Sequence, residues 1–98
     1  MIVKHPKAVE QLLRHRVLAT LRTYPYEEGR HVIIKLPDGR RALGRVALVL
    51  PDFTDDDLRQ FVALSGFETA EEWYVAALDL HGERPKYLVL VKLIRWVG

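Results

Sequence analysis

Thr20 and Arg22 stand two residues apart in the apolar run Val17-Leu18-Ala19-Thr20-Leu21-Arg22, so on a strand their side chains share one face. A hydroxyl beside a guanidinium on one face can hold an oxyanion, because the planar fork of Arg matches phosphate oxygens and sheds its water readily. Arg16, with Arg14 close by, can add charge to the same place. Tyr24 and Tyr26 follow Arg22 in the loop Tyr24-Pro25-Tyr26-Glu27-Glu28-Gly29, where rings can stack on unpaired bases. His5 and His15 flank the first apolar-periodic segment and can reach the same cleft.

Other chemistries find little support. The four histidines, His5, His15, His31 and His81, show no two-ligand spacing, and with no cysteine there is no thiolate to complete a zinc site. Ser65, the only serine, lies in no nucleophile-elbow pattern. Asp55, Asp56, Asp57 and Glu68 read as helix-capping carboxylates rather than catalytic ones.

These residues need elements to position them. Pro6 suits a first helical position, and Ala8, Val9, Leu12 and Leu13 form the apolar face of a short helix. Arg30 to Leu36 and Arg41 to Leu50 read as two strands joined by the turn Pro37-Asp38-Gly39-Arg40, with Gly44 marking a bulge. Thr54 followed by three aspartates opens a helix that Gly66 ends, and Thr69-Ala70-Glu71-Glu72 is a capping box opening another that Gly82 stops. Tyr87 to Val97 is a long strand. This order predicts one α+β domain over residues 1–98, a small β-barrel or strongly twisted mixed sheet capped by about three helices.

Composition bounds the setting. No stretch approaches the roughly 20 apolar residues of a membrane helix, and the N-terminus lacks the order of a signal peptide, so the chain is expected in the cytoplasm with no membrane partner. The absence of asparagine, with two glutamines and one methionine, points to a thermophilic source. The net charge of +2 hides a split: residues 1–45 carry ten Lys/Arg against four Asp/Glu, residues 46–98 five against nine. Such asymmetry fits either a polyanion-binding face or a surface of mixed ion pairs.

The helix from His5-Pro6 into Leu18-Ala19-Thr20-Leu21-Arg22, then Gly29-Arg30-His31-Val32, Ala42-Leu43-Gly44-Arg45-Val46 and Ser65-Gly66-Phe67-Glu68-Thr69-Ala70-Glu71-Glu72, resembles in order and spacing the ASCH domains of the PUA-like superfamily. The resemblance spans nearly the whole chain and implies a PUA-like β-barrel associated with RNA. Members typically carry Gly-x-Lys before the strand that ends in a polar residue, a spacer and Arg; the ending is present as Thr20-Leu21-Arg22, whereas His15 and Val17 replace the glycine and lysine. Relatives similar to nucleoside amide hydrolases pair that lysine with a Thr and with a Glu just before the helix link, where this chain reads Leu64-Ser65-Gly66.

Val17 can neither accept a proton nor stabilise an oxyanion, so hydrolysis by that route is not expected. The expectation is an RNA- or nucleotide-binding cleft without catalysis, formed by His5, Arg16, Thr20, Arg22, Tyr24 and Ser65, with no metal or cofactor. The alternatives are a hydrolase acting on a nucleoside amide or RNA phosphodiester, and a protein-interaction module.

Overall fold

A computed structural model describes residues 1–98. Helix α1 (Pro6–His15) leads into β1 (Val17–Arg22); β2 (His31–Lys35) and β3 (Arg41–Pro51) form a hairpin; α2 (Asp55–Phe61), a 3-10 turn over Val62–Leu64 and α3 (Ala70–His81) precede β4 (Tyr87–Val97). The Cα radius of gyration, 12.3 Å, is close to the roughly 13 Å of a folded 100-residue domain. No helix is long and apolar enough to cross a membrane.

Local chemistry explains the boundaries. Pro6 sits in the first turn of α1, and His5 caps it by accepting the Lys7 N–H on Nδ1 at 3.2 Å. Thr54 forms a complete capping box with Asp57. At α3 the expected box is only half made. Thr69 accepts the Glu72 N–H, but the Glu72 carboxylate turns to Lys7 on α1 instead of back to Thr69, because an ammonium offers it a stronger partner. Asp38 accepts both the N–H and the Nε–H of Arg40, closing the turn between β2 and β3.

The strand order is β1-β4-β3-β2, antiparallel at every ladder, rather than mixed. One parallel bridge, Ile2 to Lys35, lays residues 1–3 along the far side of β2. No ladder joins β1 to β2, so the sheet is open and not closed into a barrel. The register shifts between Leu43 and Gly44, where the extra residue is Ile94 on β4 opposite the glycine, and again between Val46 and Leu48. A Cβ at Gly44 would come within 2.6 Å of the Ile34 Cδ1, so any larger residue there must push that side chain aside.

Each face of the sheet carries its own core. Leu18, Ile34, Ala42, Val91 and Leu93 share one face and pack with Val3, Leu36 and Leu12 of α1. Ala19, Leu21 and Leu88 point the other way and pack with Leu58, Phe67, Trp73 and Ala77. Removing Leu12 or Leu18, both fully buried, from water contributes about 2 kcal/mol each. The outward face of β2, β3 and the second half of β4 has no helix over it: His31, Arg45 and Lys92 on it are exposed.

Candidate functional site

β1 is at one end of the strand order, and residues 1–3 lie beyond the other. Both ends line one cleft: Val3, Lys4 and His5 from the N-terminal segment, Ala19 to Arg22 from β1, with Phe67, Trp73, Ala76, Ala77, Leu80 and His81 as further walls. The space left among these side chains is about 40 Å³, room for a few waters or an oxyanion-sized group rather than a whole base.

Arg22 is the dominant charge. Its Nε donates to Thr20 Oγ1 at 3.1 Å, the only side-chain bond it makes, and it has no carboxylate partner. Loss of surrounding water pushes its guanidinium below its ordinary value, against a smaller opposite pull from the nearby Tyr26 phenol. The group remains a cation. No Asp or Glu lines the cleft, whereas Lys4, Arg22, His5 and His81 do.

Two rings set further hydrogen-bonding character. His5 Nδ1 accepts from Lys7 N–H, so its neutral ring carries hydrogen on Nε2, and its plane tilts 55° on Phe67 at 4.7 Å between centroids. His81 Nε2 lies 3.0 Å from the Leu21 carbonyl, which can only accept; Nε2 therefore donates and Nδ1 keeps a lone pair in the neutral ring. The Leu21 carbonyl points off the free edge of β1, as does that of Val17, which accepts from Gln11 Nε2 at 3.2 Å. A helix side chain thus caps each of these two edge carbonyls.

Of the six residues expected to form the site, the structure gathers His5, Thr20, Arg22 and Ser65 around this cleft. Arg16 is elsewhere. It ends α1 with a left-handed φ of 59°, its N–H bonded to the Leu12 carbonyl and its guanidinium donating to the Ile94 carbonyl at 2.7 Å. Tyr24 is 65% exposed and meets Tyr26 edge-on at 5.1 Å, outside the cleft lining. Ser65 has no accessible surface: its hydroxyl donates to the Val62 carbonyl and accepts the Phe67 N–H, so it shapes the turn that carries Phe67 to the cleft.

That turn is held by Gly66, whose φ of +89° and 2.2 Å clearance between a notional Cβ and the Lys7 carbonyl oxygen admit no side chain. Sequence reasoning passed over Lys4 and His81. Neither carries a local signal, since one precedes α1 and the other ends α3, and only the tertiary fold brings them to Arg22. Trp73 is 3% exposed and lies in the core while also backing the cleft.

The arrangement can hold an anion: a guanidinium, an ammonium and an imidazole N–H around an apolar-backed recess without competing carboxylates. It holds no grouping of three His, Asp or Glu suited to a metal ion. Comparisons with protein-family models, with curated proteins and with solved structures find no match to this chain.

Proposed function

We propose that the chain is an ASCH-like, PUA-like module whose cleft binds the phosphate of a nucleotide-like ligand or of RNA, without chemistry. The observation that carries this reading is Arg22: a partly buried cation with one neutral hydrogen-bond partner, in a cleft lined by no carboxylate. A charge taken from water and left unpaired is costly, and an anionic ligand offsets that cost in a way a protein partner at an exposed ion pair does not. The small recess takes the phosphate, while the sugar and base extend outward past Lys4 and His5. Thr20 fits a positioning role, since its oxygen already accepts from Arg22.

The test is a titration of the labelled protein with a nucleoside 5′-monophosphate and with the matching nucleoside, followed by backbone amide shifts. The phosphorylated compound should shift Thr20, Arg22 and His5, and the nucleoside should not. Shifts of equal size with both, or with neither, would overturn the phosphate reading. New product resonances would favour the hydrolase.

A further inference from the structure

We infer that the uncovered outer face of the sheet is a docking surface for the phosphodiester backbone of a nucleic-acid duplex. It is a different surface from the cleft. The register places His31, Arg45 and Lys92 side by side across three strands, and Lys35 beside Arg41 in a second row. Arg95 lies opposite Leu43 between the rows. All six are exposed.

Of the fifteen Lys/Arg, five are in ion pairs, with Glu72, Glu10, Glu27, Asp38 and Asp56 as their partners. Half of the remaining ten stand on this one face. One carboxylate, Glu28, sits at the rim of the groove that includes Arg45 and Lys92; it accepts the Val49 N–H at 2.8 Å and pairs with neither cation. The charge is therefore uncompensated, and an extended polyanion is its complement.

Geometry selects a duplex. Four residues along a strand separate the two rows by about 13 Å, against a width of about 12 Å for the major groove of B-form DNA, so each row can face the phosphates of one strand of such a duplex. Ile33 and Leu43 fill the space between them. His31 is the only ring on this face, and no Phe, Tyr or Trp stands there to stack with the splayed bases that single-strand recognition relies on. The sequence hid the patch, because Lys92 and Arg95 belong to the acidic half of the chain and join the basic residues only through strand pairing.

The test is fluorescence anisotropy with duplexes of about 16 base pairs, in RNA and in DNA form, across a salt series. If about four phosphates are neutralised, log K should fall with log salt with a slope of about −3.6 for a duplex, and Arg45→Ala/Lys92→Ala should flatten it by about 1.8. That pair should also weaken low-salt binding at least tenfold, whereas Arg84→Ala, which removes a cation beside Tyr74 outside both rows and the cleft, leaves the slope unchanged. Should the first pair fail to fold, Lys35→Ala/Arg41→Ala removes the other row and must flatten the slope likewise. Equal slopes in wild type and a folded row variant would overturn the assignment. So would affinity for the separated single strand, polyglutamate or anionic vesicles matching that for the duplexes.

Discussion

The Nε of Arg22 donates to the hydroxyl oxygen of Thr20, two residues earlier on the same strand face, at 3.1 Å. This pairing makes Thr20 an acceptor toward a cation, and it leaves the remaining guanidinium donors for a ligand. Arg22→Met should therefore separate binding from folding. Affinity for a phosphorylated ligand should fall by about 10- to 100-fold, the worth of a charge-assisted hydrogen bond. Stability in urea should stay level or rise by about 1 kcal/mol, because a poorly compensated charge is removed from a half-dry site. A large loss of stability would mean that Arg22 is there to hold the fold.

Hydrolysis of an acyl-cytidine should not exceed background. Val17 replaces the lysine that the resemblance leads one to expect, and its pairing opposite Lys92 puts it on the other face of the sheet from Thr20 and Arg22. A chromatographic assay for released cytidine decides this. Turnover abolished by Thr20→Val would promote the hydrolase.

Gly66→Ala should cost about 3 kcal/mol in the urea midpoint analysis, combining a disfavoured left-handed backbone with displacement of the Lys7 carbonyl. Gly39→Ala is the internal comparison. Its φ is +90° but nothing lies within 4 Å of the added carbon, so only the backbone penalty of about 1 kcal/mol remains. Equal costs at the two sites would mean that α1 yields to the intruding methyl.

Asp38 should titrate below the ordinary carboxylate range. The Arg40 backbone N–H is the larger cause and the Arg40 guanidinium the next, both favouring the ionised form. A depressed folded-state value means that this contribution to stability is fully present above the unfolded carboxylate's pKa of about 3.9 and is lost as pH falls through the lower folded one. Carbon-detected titration should show Arg40→Ala restoring the value only in part, because the backbone donor persists. Full restoration would make the side chain the whole cause.

The elements were legible where one or two residues decide the matter: Pro6, Thr54, Thr69 and Gly82 bound the helices as their chemistry demands. Thr20 and Arg22 were legible as a pair because strand alternation is a local rule. Arg16 was misplaced because its sequence neighbourhood says nothing of the left-handed turn that swings it toward Ile94. Tyr24 and Tyr26 read alike in sequence, yet of the two it is Tyr26 whose phenol acts on Arg22. Glu72 followed the capping pattern in sequence and was drawn away by Lys7, 65 residues distant. Register, which no single strand encodes, assembles both the cleft and the cationic rows.

β1 has no strand on its outer side, and such an edge is an invitation for another chain to add itself. Gln11 and His81 occupy the Val17 and Leu21 carbonyls there, from helices on either side of it in the sequence. They blunt the edge at two of its carbonyls, and both are in place only when α1 and α3 have docked. Without both helices in place, Val17 to Arg22 would present these carbonyls unguarded, the kind of edge on which another chain can pair.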